Sequence, residues 1–316
     1  MMHRPRRVCK GGSSIGDTMG YDAGMKQASA PALPPDVLAE LRPGQSIELL
    51  KALHILTRDG RLNQDTRRKL KQVNHLLRFI EPLLDDALAA RGDVTVVDHG
   101  AGKSYLGFLL YDRLLAARGV GTVWGVEARA ELVQRAQALA AQLGFARMHF
   151  VAATVRQAMQ TLPAQVDVVT ALHACDTATD DALDFALQRR ARAIVVVPCC
   201  QAEVAATLRR SKALQLARTS LAELWRHPLH TREFGSQVTN VLRCLRLEAA
   251  GYDVTVTELV GWEHSLKNEL ILARRTGRGK RSAALRLQRI LDDLGLAELA
   301  GRFALPSPEP RLDDGG

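Results

Sequence analysis

Residues 93–104 read Asp-Val-Thr-Val-Val-Asp-His-Gly-Ala-Gly-Lys-Ser. The β-branched run predicts a buried strand, and the glycines that follow it predict a tight turn into a helix. Glycine at positions 100 and 102 lets a ligand approach the backbone closely, and the start of the helix supplies free N–H groups. A ligand-binding turn is therefore expected at the carboxyl end of this strand.

Short β-branched runs alternate with helical stretches after this turn, which is typical of a parallel sheet with crossover helices. A helix at 236–250 precedes apolar runs at 254–260 and 269–274, whose short connection predicts an antiparallel hairpin at the sheet edge. The fold class expected is α/β, a doubly wound, mainly parallel seven-stranded sheet with an N-terminal helical extension. The other strands are expected at 93–98, 122–127, 147–152, 166–172 and 192–198, and the crossover helices at 104–118, 129–143, 180–190 and 202–217.

Positive charge is concentrated outside the predicted sheet, within a chain of net charge +9. Lys and Arg outnumber acids by seven to two over 58–78 and by seven to none over 274–289. This distribution favours a polyanionic partner such as RNA, although solvated basic faces would give the same pattern. Composition predicts four regions: a disordered tail over 1–35, a basic helical extension over 36–90, the sheet domain over 91–276 and a basic helical and flexible tail over 277–316.

The extension is predicted to be helical because apolar residues recur at helical spacing over 46–57 and again from 65 to about 80. Pro82 is expected to end or kink the second helix, since proline has no N–H to donate. Neither a membrane-spanning run nor a signal peptide is recognisable, so a cytoplasmic protein without a membrane partner is expected. Five cysteines, an odd number, predict thiols rather than a disulfide framework.

Three kinds of ligand compete for the glycine-rich turn. A dinucleotide fingerprint requires a third glycine where Tyr105 stands, and a phosphate-binding P-loop requires its first glycine where Val97 stands. S-adenosylmethionine has no phosphates to bind, and Asp98 suits its positively charged amino acid portion. Glu127, at the end of the second strand, can hydrogen-bond both ribose hydroxyls of an adenosine. We therefore predict a methyltransferase that binds S-adenosylmethionine, with dinucleotide and nucleotide binding as alternatives.

Polar clusters follow the fourth and fifth strands, where the working groups of an open α/β sheet lie. His173 is a candidate general base, or a side chain that only shapes the adenine pocket. The thiols of Cys175, Cys199 and Cys200 are candidates for attack on a pyrimidine ring or, with His173, for a zinc site. Their spacing is unusual for zinc, so no metal is predicted; lining of an apolar adenosine pocket stays open as a third role.

These residues together resemble a methyltransferase-domain family. The resemblance covers roughly residues 46–276 and is carried by the turn, by Ala171-Leu-His-Ala-Cys-Asp-Thr-Ala-Thr-Asp180 and by Val197-Pro-Cys-Cys200. Its members include tRNA ribose 2′-O-methyltransferases and the methyltransferase module of a glutathione-transferase-like eukaryotic protein. The resemblance implies cofactor contacts from Asp98, Gly100, Gly102 and Glu127, and an active site near His173, Cys175, Cys199 and Cys200. Thr154 and His173 are also expected to contact the cofactor.

The resemblance also implies substrate contacts. Lys69, Lys71 and Gln72, beside Arg67, look like a lysine-rich element of the family, and Lys267 with Asn268 looks like a pair in its final hairpin. Two positions depart from the family pattern: Asp176 stands where glycine is usual, and Thr154 stands where many methyltransferases carry an acid. An RNA substrate, tRNA or rRNA, is the resulting expectation. A protein or small-molecule substrate, or RNA binding without catalysis, is the alternative.

Overall fold

The computed structural model describes residues 33–42, 44–172, 174, 176–198, 201–211, 219–259 and 269–306. Its strands are β1 (Thr95–His99), β2 (Thr122–Glu127), β3 (Met148–Ala152), β4 (Val168–Ala171), β5 (Ala193–Val196), β6 (Tyr252–Glu258) and β7 (Glu269–Arg275). Its α-helices are α1 (Pro35–Leu38), α2 (Ile47–Ala52), α3 (Gln64–Arg91), α4 (Tyr105–Leu110), α5 (Ala130–Gln142), α6 (Val155–Ala158), α7 (Thr177–Gln188), α8 (Glu203–Ser211), α9 (Pro228–Ala249), α10 (Arg281–Asp293) and α11 (Ala300–Phe303).

The described strands form a seven-stranded sheet in the order β3-β2-β1-β4-β5-β7-β6. β1 to β5 are parallel, whereas β7 runs antiparallel to both β5 and β6. The predicted α/β fold is confirmed, and so is the hairpin at the sheet edge. From β1 the chain first builds the sheet outward on one side, through β2 and β3, and then on the other side, beginning with β4. Doubly wound sheets bind their ligands at this switch point.

β1 occupies the centre of the sheet because its side chains are apolar on both faces. Val96 and Val97 are fully buried, and each contributes to a different hydrophobic core. The core around Val96 includes α3 and α4, and the core around Val97 includes α7. A continuous apolar run of this kind is typical of a strand covered by helices on both sides.

Pro82 neither ends α3 nor limits it to the predicted 65–80, because this helix continues to Arg91. Asn63 and Thr66 form a reciprocal capping box at its start, and Gly92 ends it in the left-handed region with a φ of 73°. Pro82 lies on the exposed side, where water can satisfy the carbonyl that proline leaves without a donor. The buried residues Ile80 and Leu84 on either side stabilise the uninterrupted helix.

The C-terminal helices pack into a third core. α9 begins at Pro228, eight residues before the predicted start, and proline suits the first turn of a helix because no N–H is needed there. Gly235 permits close packing of α9 on α8, since a Cβ at this position would lie 2.6 Å from the Cα of Ala205. α10 and α11 cover the other side of this core through Leu291 and Phe303. In the described part of the chain, every helix is too short or too polar to cross a membrane.

Candidate functional site

The turn after β1 is held against the end of β2 by backbone and side-chain hydrogen bonds. Gly100 and Gly102 have φ values of 65° and 59°, a region that glycine adopts without steric cost. The Ala101 N–H donates to the carbonyl of Val126 at 3.0 Å. The Gly102 N–H donates to Oε2 of Glu127 at 2.8 Å. The two predicted cofactor-binding elements are therefore in direct contact.

Glu127 is nearly buried and ionised. Its Oε1 accepts hydrogen bonds from the backbone N–H of Arg129 at 3.1 Å and from Nε of that side chain at 2.8 Å. The side-chain hydrogen bond from Arg129 is the main cause that holds the pKa of Glu127 below its usual value. A carboxylate fixed in this way is a ready acceptor for hydroxyl groups such as those of a ribose.

Asp98, at the end of β1, has a different electrostatic environment. Its side chain is buried, and its Oδ1 accepts a hydrogen bond of 2.6 Å from the hydroxyl of Thr170 on β4. Burial raises the pKa of Asp98 to about 7, although the Thr170 hydrogen bond opposes that shift. A buried carboxylate without a cationic partner among the described residues is suited to a cationic ligand group.

A cavity of about 180 Å³ opens beside Asp98 and Gly100. Val73 of α3 forms one wall, so the basic extension borders the predicted cofactor site. Lys69 lies one helical turn before Val73 and therefore on the same side of α3. The remaining lining residues are Ala101, Lys103, Tyr105, Leu106 and Leu172.

Thr154 is used by local structure. It is the N-cap of α6, where its hydroxyl donates to Oε1 of Gln157 at 2.9 Å and accepts from the N–H of Gln157. The Thr154 side chain is exposed. β3 ends at Ala152, opposite Glu127 on β2, so Thr154 lies near the same edge of the sheet as Glu127.

The four predicted catalytic residues, His173, Cys175, Cys199 and Cys200, lie outside the described residues, but the ends of both segments are described. Asp176 has a φ of 50°, in a region that glycine adopts without steric cost and other residues rarely adopt. Its Oδ1 accepts the N–H of Ala202 at 3.0 Å, which links the segment after β4 to the segment after β5. Among the described residues, no three potential metal ligands come together.

A buried polar network lies beneath these two segments, and sequence reasoning missed it. Arg243 of α9 is fully buried and binds Asp180 of α7 in a bidentate ion pair, with distances of 2.8 and 2.7 Å. The same guanidinium donates to the carbonyl of Asp176 at 2.9 Å. Asn240 extends the network to Gln201 at 3.1 Å and to Glu269 of β7 at 2.7 Å. The only indication in the sequence is a polar stripe in α9 at core spacing.

The predicted substrate-binding residues separate into three groups. Lys69 and Lys71 are exposed on α3, and Gln72 is half-buried beside them. Arg67 is already paired with Glu40 and, at 3.5 Å, with Asp36. Lys267 and Asn268 lie outside the described residues.

His99 is a further buried residue of the turn that sequence reasoning did not single out. Its ring packs edge-on against Phe185 with 4.8 Å between centroids. Neither ring nitrogen has a hydrogen-bond partner among the described residues, and burial lowers the pKa of His99 to about 3. His99 is therefore neutral, and its contacts are those of a core residue.

Part of this chain is similar to a known protein family and to a curated protein. Residues 68–207 match a protein family described as "Methyltransferase domain". The Glutathione S-transferase C-terminal domain-containing protein of Xenopus laevis is 28% identical over 154 residues, which cover 48% of this chain and 23% of that protein. The chain thus spans less than a quarter of this relative's length.

Two solved structures are among those similar to this chain. An rRNA methylase from Streptococcus thermophilus is 11% identical, with 64% of this chain and 93% of that chain covered and a TM-score of 0.39. Magnesium protoporphyrin IX methyltransferase from Synechocystis PCC 6803, with bound SAH, is 16% identical, with 72% and 94% covered and a TM-score of 0.40.

The match to a methyltransferase domain agrees with the predicted class of enzyme, and the chain has the doubly wound sheet that the prediction required. The predicted cofactor, S-adenosylmethionine, is consistent with this match.

We predict that the raised pKa of Asp98 makes binding of the expected cofactor sensitive to pH. An ammonium group is attracted by the carboxylate form, so we expect the affinity for S-adenosylmethionine to rise as the pH increases through about 7. The stability of the ligand-free protein should fall from pH 3.8 to about 7, because the folded state retains a proton that the unfolded state has lost. Calorimetric titration across this range measures the first effect. In Asp98→Asn, the affinity should be weaker and flat with pH; a wild-type profile without a step near 7 would contradict the assignment.

Proposed function

We propose that this enzyme transfers the methyl group of S-adenosylmethionine to RNA. The observation that carries the RNA proposal is the position of α3: its exposed Lys69 lies one helical turn before Val73, which forms a wall of the cofactor cavity. A phosphate bound by Lys69 would bring a nucleotide to the carboxyl edge of the sheet, and Lys71 is exposed on another side of the same helix. Such contacts are strongly salt-dependent and weakly dependent on sequence.

The residues of the turn fit the proposed cofactor. The ionised Glu127 can accept hydrogen bonds from both ribose hydroxyls, while its contact with Gly102 keeps the turn against β2. Asp98 can hold the ammonium group of the amino acid portion. When bound, the cofactor supplies an electrophilic methyl group on a sulfonium, whose loss leaves S-adenosylhomocysteine.

The chain's part in the reaction is to orient the substrate nucleophile and to remove its proton. The ring of His99 cannot serve, because it is buried and its pKa of about 3 makes it a poor base. We propose His173 as the base, since an unperturbed histidine has a pKa of about 6.5 and this residue follows the strand next to β1. Cys175, Cys199 and Cys200 are proposed to border the same site.

Incubation with methyl-labelled S-adenosylmethionine and fractionated cellular RNA, protein and small molecules tests this function. We expect the label in the RNA fraction. Lys69→Gln with Lys71→Gln should raise the KM for RNA with little change in kcat, because these lysines bind phosphate away from the reacting atoms. The matched control is Arg135→Gln with Arg209→Gln, which removes the same charge from α5 and α8.

The other outcomes separate the remaining classes of function. Label confined to protein or small molecules would overturn the RNA proposal while leaving the methyltransferase class intact. RNA binding without any label transfer would indicate an RNA-binding protein rather than an RNA-modifying enzyme.

A further inference from the structure

A second, larger cleft opens at the amino edge of the sheet, opposite the cofactor turn. Its volume is about 590 Å³, and its walls come from the second half of α3, the starts of β4 and β5, the end of β7 and the end of α7. Five arginines and two aspartates line it: Arg189, Arg190, Arg192, Arg274, Arg275, Asp86 and Asp167.

The two carboxylates of the cleft are already occupied. The side chain of Asp167 is almost fully buried. Both of its carboxylate oxygens accept hydrogen bonds from Nη1 of Arg91 at 2.8 Å, and Oδ2 also accepts the N–H of Thr95 at 2.9 Å. Nε of Arg192 also lies 3.4 Å from Oδ1 of Asp167. Asp86 pairs with Arg274 at 2.6 Å. One buried carboxylate is thus shared by two guanidinium groups, which leaves excess positive charge in the cleft.

Arg190 and Arg275 are the exposed arginines of the cleft that have no carboxylate partner among the described residues. Nη1 of Arg275 donates to the carbonyl of Arg190 at 3.3 Å, so the two residues are adjacent. Arg190 has a φ of 50° just beyond the end of α7, a position where glycine is usual and arginine is strained. The cleft therefore presents two neighbouring guanidinium groups to solvent, and the backbone of Arg190 is in an unfavourable conformation.

We propose that this cleft binds the phosphodiester backbone of RNA, at a part of the substrate remote from the methylated nucleotide. The planar fork of a guanidinium matches the geometry of phosphate oxygens, and an open cleft allows a continuous chain to pass through. The basic segment 274–289 begins in the cleft and continues away from it through the exposed Arg278 and Arg281. This inference rests on the proposed RNA substrate.

The position of the cleft determines what it can do. β4 has four residues, so the two edges of the sheet are roughly 13 Å apart at about 3.3 Å per residue. The cleft arginines therefore cannot touch the reacting atoms. They are expected to contribute to RNA affinity and to the minimum length of RNA that binds well.

The test compares Arg190→Gln with Arg275→Gln, as a double variant, against the charge-matched control Arg135→Gln with Arg209→Gln. Fluorescence anisotropy of a labelled structured RNA, in a series of salt concentrations, measures affinity. We expect the cleft variant to bind about tenfold more weakly at moderate salt and to lose about 1.4–1.8 from the slope of log K against log salt, while the control changes little. In parallel, inorganic pyrophosphate is titrated by calorimetry. We expect its affinity for the cleft variant and for the control variant to equal its affinity for the wild type.

The outcomes separate this inference from the proposed function. Equal RNA affinities for the cleft variant and the control would overturn the cleft assignment, even if RNA is methylated. RNA binding that depends on the cleft arginines, without methyl transfer to RNA, would support the assignment of the cleft as an RNA-binding site and contradict the proposed function. Cleft-dependent binding of pyrophosphate but not of RNA would overturn the backbone assignment in favour of a small phosphate ligand.

Discussion

Arg243→Met should lower the free energy of unfolding by about 3–5 kcal/mol, because it leaves the buried carboxylate of Asp180 without its cationic partner. Asp180 is 2% exposed and accepts two of the guanidinium hydrogen bonds, and two others reach the carbonyl of Asp176 and Oδ1 of Asn240. The substitution preserves much of the side-chain volume, so the loss reports the charge and its hydrogen bonds. Chemical denaturation followed by circular dichroism measures it.

The control for this prediction lies on the same helix. Arg232 is exposed and, in the part of the chain that the structure describes, pairs only with its neighbour Glu233, so Arg232→Met should change stability by less than about 1 kcal/mol. A second expectation is functional: any Arg243→Met protein that remains folded should lose methyl transfer more than cofactor binding, because the network supports the segments after β4 and β5. Stability equal to that of Arg232→Met would show that the ion pair does not hold these elements together.

Glu127→Ala should weaken binding of S-adenosylmethionine by about 100-fold or more. Two hydrogen bonds from ribose hydroxyls to a carboxylate contribute about 1.5–3 kcal/mol each, and their loss is expected to dominate the effect. The substitution also removes the acceptor of the Gly102 N–H, which should loosen the turn. Isothermal titration with S-adenosylhomocysteine, which avoids turnover, measures the change.

Glu131→Ala is the matched control, since it removes an exposed acid from the first turn of α5, four residues along the chain. Its affinity should stay within about twofold of the wild type. Similar affinities for the two variants would show that Glu127 is not the ribose acceptor and would move the cofactor away from the end of β2.

The central part of the fold was predictable because local patterns and tertiary burial agree there. The run at 94–97 is apolar on both faces, and the central position of β1 buries both faces. The hairpin of β6 and β7 was predictable from its short connection. The turn after β1 was predictable because its two glycines and the acids at the ends of β1 and β2 can each be recognised in the sequence. Its role in binding the cofactor stays a prediction.

Other features depend on contacts between distant parts of the chain, which periodicity does not report. Pro82 was expected to end or kink α3, but the helix continues past it because burial of Ile80 and Leu84 outweighs one missing hydrogen bond. Arg243 and Asp180 are 63 residues apart, and each alone resembles a surface charge. The basic cleft likewise combines Arg190 with Arg275, which only the insertion of β7 beside β5 brings together.

A crystal structure of the complex with S-adenosylhomocysteine tests the central claim most directly. The account predicts a ribose hydrogen-bonded to the carboxylate of Glu127 and an ammonium group beside Asp98, at the carboxyl edge of the sheet. A ligand bound elsewhere, for example in the arginine-lined cleft at the opposite edge, or a ribose that does not contact Glu127, would contradict it.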